Sequence, residues 1–352
     1  MADVAAGTGP SSLKEETPAP SRRSIGYRIE ARLYEADLYE PGPGAVPGGA
    51  LVLVPGVSPH GRDDARLVAF ANSMARARFV VLVPELAGLR QLRVSPSDTV
   101  AIADAVRQLA AMTQAGEGEA ALGLVAFSYA AGPGLLAALE PDVGPTLGFL
   151  LLVGGYHGVE ALATFVTTGH FRTSPHEPWR QRAPNPRGKW VFLLSNVDRV
   201  DDGRDRATLR EIGERKFDDP EADIGALSAA LGEEGRAIER YLNNVDPERV
   251  PALIEGLPAG IRADMAALDP SARDLSALRP RLYLVHGEDD AVIPYTESEA
   301  LARAAPNAIF FKVDRLAHVD LGPAGWLDAL TLWRAAYLLL GERSDAALGV
   351  RE

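Results

Sequence analysis

The chain has 352 residues, with 36 Lys and Arg against 48 Asp and Glu and a formal charge of −12. Nucleic-acid binders draw affinity from clustered Lys and Arg, so this balance argues against that class. The absence of cysteine removes disulfides, thiolate metal sites and any Cys nucleophile.

At 47% hydrophobic and 24% charged residues, the composition is that of a globular protein with a large core, of two domains or one enlarged one. Residues 1–23 are rich in Pro, Gly, Ser, Thr and charge and read as a flexible tail. The stretch has no apolar h-region, hence no secretory signal. No apolar run approaches the about 18 residues of a membrane-spanning helix, so the expectation is a cytoplasmic protein without a membrane span.

From Ser24 the pattern alternates, with Ile25, Tyr27, Ile29 and Ala31 on one side, which predicts antiparallel strands at a sheet edge. After a Pro/Gly loop (Pro41–Gly49), Ala50–Val54 is an unbroken apolar run stopped by Pro55-Gly56. Such a run suits a strand buried on both faces. The same grammar repeats: a helix over Ala65–Arg78, a strand over Phe79–Val83, and a helix over Thr99–Met112 with Asp98 as its N-cap. A strand over Leu122–Phe127, a helix over Tyr129–Leu139 and a strand over Thr146–Val153 follow. Strand alternating with helix predicts a mostly parallel sheet with right-handed crossovers. Residues 159–275 are then helical almost throughout. Strand grammar returns at Arg281–Gly287 and Ala308–Val313, with helices over Thr296–Ala304 and Ala324–Leu340.

Four loops, each directly after a predicted strand, carry candidate chemistry. Pro55-Gly56-Val57-Ser58-Pro59-His60-Gly61 can offer a backbone N–H, that of Val57, beside a permissive glycine. Ala126-Phe127-Ser128-Tyr129-Ala130 places a serine in a tight strand-to-helix turn, with the Tyr129 N–H aimed where an oxyanion would form. On its own, small-x-Ser-x-small also describes an ordinary packed turn. Gly287-Glu288-Asp289-Asp290 precedes Val292-Ile293-Pro294, and Asp290 is the candidate acid from its spacing before that segment. Glu288 and Asp289 are then loop surface or turn caps. His318, in Leu316-Ala317-His318-Val319-Asp320, stands out among His60, His157, His170, His176 and His286 by its place after the last strand. Its ring could take a proton from Ser128 and donate to Asp290.

In the order oxyanion loop, Ser, Asp, His, these motifs resemble the α/β-hydrolase superfamily over about residues 27–158 and 277–340. Ala126 and Ala130 stand where that family's elbow has glycines. The resemblance implies an α/β-hydrolase fold, a mostly parallel sheet flanked by helices with an inserted helical cap. The core would be 24–158 and 276–352, and the cap 159–275. It implies a serine hydrolase cleaving a carboxylic ester or related acyl bond through Ser128, His318 and Asp290, with Tyr129 and Val57 N–H groups as oxyanion hole. An acyltransferase, or a binding protein that keeps the fold without turnover, are the alternatives. A serine nucleophile argues against the dehalogenase and epoxide-hydrolase chemistries that use Asp at this turn. No metal-ligand spacing is present, and Gly154-Gly155 lacks the Lys-Ser/Thr of a P-loop, so no cofactor or metal is implied. The partner is a small acyl substrate, apolar if Phe165, Phe171, Trp179, Trp190 and Phe192 line its pocket rather than form the inserted segment's own core.

Overall fold

The computed structural model describes residues 2–113, 122–316 and 326–343. Eight strands form one sheet: β1 (Ser21–Ile29), β2 (Arg32–Glu40), β3 (Gly49–Val54), β4 (Phe79–Pro84), β5 (Leu122–Phe127), β6 (Leu147–Val153), β7 (Arg281–Gly287) and β8 (Ala308–Val313), in the order β1-β2-β4-β3-β5-β6-β7-β8. The β1–β2 and β2–β4 pairs are antiparallel. All remaining pairs are parallel. The parallel strands therefore present their carboxyl ends at one edge, where the loops leaving β3, β5, β7 and β8 gather.

Alternation along the strands sorts side chains onto two faces. Val52, Val54, Leu124, Leu150 and Leu284 pack under helices α2 (Pro96–Thr113), α3 (Ala131–Ala138) and α9 (Thr296–Ala304), while Leu51, Leu53, Val81, Val125 and Tyr283 face α1 (Ala65–Arg76) and α10 (Trp326–Leu340). In α2, Ile102, Val106 and Leu109 fall on one helical stripe and are fully buried, each contributing about 1.5–3 kcal/mol. The N-cap assignment in this helix is corrected: the helix begins at Pro96, and the carboxylate of Asp98 accepts the Ser95 N–H at 2.7 Å. Asp98 is thus the third helical residue reaching back to the cap, the return half of a capping box.

Where the sequence reads as a tail, the structure has two short helices, Ala2–Ala6 and Ser12–Glu16, and β1 begins at Ser21. Buried Asp3 anchors them, accepting from the hydroxyls of Ser73 on α1 and of Ser11 and pairing with Lys14 at 3.3 Å.

Between β6 and β7 lie α4 (Val159–Thr168), α5 (Gly188–Asn196), α6 (Gly203–Asp218), α7 (Glu233–Leu242) and α8 (Ala259–Ala267). They share a core of Trp190, Leu193, Leu209, Ile212, Ile238 and Tyr241. Phe165 and Phe171 pack edge to face and continue onto Tyr295. Trp179 is half-buried, with the Arg172 guanidinium 3.8 Å above its ring. Of the five aromatic residues considered for a pocket, Phe192 alone lines the cleft described below. Among the described residues, no helix is long and apolar enough to cross a membrane.

The start of this helical segment is pinned by a buried acid. Glu297 on α9 accepts the His157 and Gly158 N–H groups at 3.0 and 2.8 Å, and burial pushes its carboxyl up to about 6. Raised above its ordinary value of 4.5, the group holds its proton in the native state through a window where the unfolded chain has lost it. Its contribution is therefore complete below about pH 4.5 and lost as pH rises through 6. Glu297→Gln keeps an acceptor without that titration. The stability advantage of wild type over this variant, from urea unfolding, is expected to shrink by about 2 kcal/mol between pH 4 and pH 7.5.

Candidate active site

Ser128 closes β5 and opens a 3₁₀ turn, Ser128–Ala130, that runs into α3. Its backbone sits at φ 57°. A side chain held in the left-handed region costs about 1–3 kcal/mol and persists where the surroundings over-determine it. The surroundings here are close-packed: Ala126 and Ala130 are fully buried, and a Cβ built on Gly134 would lie 3.0 Å from the Ala126 methyl. The methyl that stands where the elbow usually has glycine is accommodated by a glycine facing it from α3.

The loop leaving β3 comes against this turn, since a Cβ on Gly56 would be 3.2 Å from the Ser128 Cβ. Val57 follows, half-buried. The Ser58 N–H donates to the Leu89 carbonyl at 3.2 Å, whereas the Val57 N–H has no acceptor among the described residues. The Ser58 hydroxyl donates to Asp64 at 3.1 Å.

Asp290, in the loop leaving β7, is completely buried. One carboxylate oxygen, Oδ1, accepts the Val292 and Ile293 N–H groups at 2.7 and 3.0 Å. The other, Oδ2, is 3.3 Å from His286 Nε2. His286 is itself fully buried on β7. Nε2 faces the Ile293 carbonyl at 2.9 Å and that carboxylate, both acceptors, so it carries the proton, and Nδ1 accepts from the Ser298 hydroxyl at 2.7 Å. With both nitrogens engaged, His286 supports Asp290 and is not placed to act as a base toward Ser128. Sequence reasoning passed over it; the four-residue spacing to Asp290 was the available signal.

The helical segment also grips this turn. Arg182 donates from Nη1 to the Glu288 and Asp290 carbonyls, the latter at 3.2 Å, and the Asn185 N–H donates to the Ala291 carbonyl at 2.6 Å. Glu288 is at the surface, paired with Lys312 at 3.1 Å. Asp289 Oδ1 accepts the Leu316 N–H at 3.0 Å, joining the loops that leave β7 and β8. His318 lies outside the described residues.

Gly287 makes that junction possible. A Cβ there would stand 2.1 Å from the Leu316 carbonyl oxygen and 2.8 Å from its carbon. Gly287→Ala must push the Leu316 backbone away, at a cost of about 1–3 kcal/mol. It is also expected to lower the turnover of any reaction carried out at this edge about 10²-fold, because a 1 Å misplacement of reacting groups is worth that much. Thermal unfolding and steady-state kinetics check the two effects.

A cleft of about 90 Å³ lies between this edge and the helical segment, lined by Tyr129, Tyr156, Leu162, Val166, Phe192 and Tyr241 among others. Ser128 lies one residue from its wall. Among the described residues, no group of His, Asp and Glu could hold a metal ion.

No family model and no curated protein matches the sequence. Solved structures do. A candidate hydrolase from Legionella pneumophila aligns over 95% of this chain and 94% of its own, at 14% identity and a TM-score of 0.56. The acylaminoacyl peptidase of Pyrococcus horikoshii aligns over 96% of this chain at 11% identity and a TM-score of 0.51; this chain spans 43% of that protein's length. At these identities the likeness is one of fold.

Proposed function

On the α/β-hydrolase fold that this chain has, we propose a serine hydrolase that cleaves a carboxylic ester or a related acyl bond. The observation that carries the reading is Ser128 held at φ 57° between β5 and α3, with the β3-exit loop against its Cβ. Strain in a buried, well-packed serine at the carboxyl edge of a parallel sheet is the mark of a positioned nucleophile. In this reading His318 takes the Ser128 proton as Oγ attacks the acyl carbon, then returns it to the leaving alcohol. Asp290 holds that imidazole in orientation and offsets its charge. The Tyr129 and Val57 N–H groups donate to the oxyanion, each worth about 10²–10³ in rate. Water, deprotonated by the same base, releases the acid. The helical segment serves as a cap over the cleft.

A fluorophosphonate probe tests the assignment directly. The expected result is one covalent adduct, mapped by peptide mass spectrometry to Ser128. An unlabelled protein, or an adduct elsewhere, overturns it.

A further inference from the structure

The Tyr129 side chain has a role distinct from that of its backbone. Its ring lines the cleft, and its hydroxyl is buried with no hydrogen-bond partner among the described residues. Four of the polar groups around it are otherwise engaged. The Tyr156 hydroxyl donates to the Leu268 carbonyl at 3.1 Å, the Ser195 hydroxyl to the Leu92 carbonyl at 3.1 Å, and the Asn196 amide to the Phe192 carbonyl at 2.8 Å. Asp264 is paired with Arg199 at 2.6 Å. Nothing bulky stands over the phenol from α5, whose first residue is Gly188; a Cβ built there would still be 3.8 Å from the hydroxyl oxygen. Leu162 and Val166 supply apolar wall. Buried hydroxyls are ordinarily paired, and an unpaired one in an apolar cleft is the kind of polar group that fixes a ligand's orientation.

We propose that the Tyr129 hydroxyl is a specificity-determining donor, hydrogen-bonding an oxygen carried on an otherwise apolar acyl chain. At about 90 Å³, the cleft is smaller than the about 300–1,000 Å³ of pockets that hold drug-sized ligands, and it suits a short acyl chain. The substrate class is therefore an ester of a short oxo- or alkoxy-acid. This deepens the hydrolase reading and rests on it for the ester.

The test uses binding, so that it does not depend on turnover. Methyl 4-oxopentanoate and methyl pentanoate are titrated calorimetrically into the full-length Ser128→Ala protein. The oxo ester is expected to bind about threefold to tenfold more tightly, the range of an ordinary net hydrogen bond. Adding Tyr129→Phe should abolish that preference while leaving methyl pentanoate affinity within about twofold. Equal affinities in the first protein overturn the proposal without need of the second variant. A preference that survives Tyr129→Phe overturns it as well. Failure of the hydrolase reading shows separately, as a wild-type protein that takes no fluorophosphonate at Ser128.

Discussion

Ser128→Ala is expected to lower kcat for ester hydrolysis by about 10⁶-fold, the scale on which removing a triad nucleophile acts. Cysteine is absent from the chain, and the Ser58 hydroxyl, in the facing loop, is turned to Asp64. Activity left in the variant would measure the oxyanion donors and the cleft alone, about 10³–10⁴ over water in enzymes of this kind. Ser128→Gly separates chemistry from strain. It should be as inactive as the alanine variant yet more stable, because glycine adopts φ 57° without the Cβ penalty that alanine retains. Equal thermal midpoints for the two variants would show that the turn stores no strain.

The second large effect is expected from Asp290→Asn, about 10⁴-fold in kcat. The two N–H groups of Val292 and Ile293 converge on one oxygen of the acid. An asparagine must keep its carbonyl there, because turning its NH₂ toward two donors would leave three polar groups unpaired in a fully buried site. The amide NH₂ is then forced to the other side, where the carboxylate had offered an acceptor. A base relying on that acceptor is left in the wrong tautomer. The loss should appear in kcat with KM little changed, since Asp290 does not line the cleft. A loss confined to KM would remove Asp290 from the chemistry.

Much of this architecture was legible because parallel strands buried on both faces leave a strong mark. Ala50–Val54, Phe79–Val83, Leu122–Phe127 and Arg281–Gly287 read as strands and are strands, within one residue at each end. The signals that failed were those carried by backbone reach rather than by side-chain type. Asp98 looked like a cap because Asp is a good one, yet Pro96, pre-set for the first helical position, moved the start three residues earlier. Asp289 is exposed loop surface, as neighbouring acids usually are, and its carboxylate also accepts the Leu316 N–H, a tie between loops that the sequence pattern does not show. The unpaired Tyr129 phenol leaves no mark in a one-dimensional pattern, because its pairing among the described residues depends on groups distant in the chain. Which of the inserted aromatic residues faces the cleft is decided by helix packing within the segment, and a one-dimensional reading has no access to that.

Arg182 and Asn185 hold three backbone carbonyls of the acid turn from within the helical segment. Any swing of residues 182–185 must either break those hydrogen bonds or drag Asp290 with it, so the segment is not free to open as a hinged flap along that side. A guest that wedges the segment up at its tethered end transmits the displacement to the acid itself, and steric fit there becomes a throttle on rate rather than a simple barrier to entry.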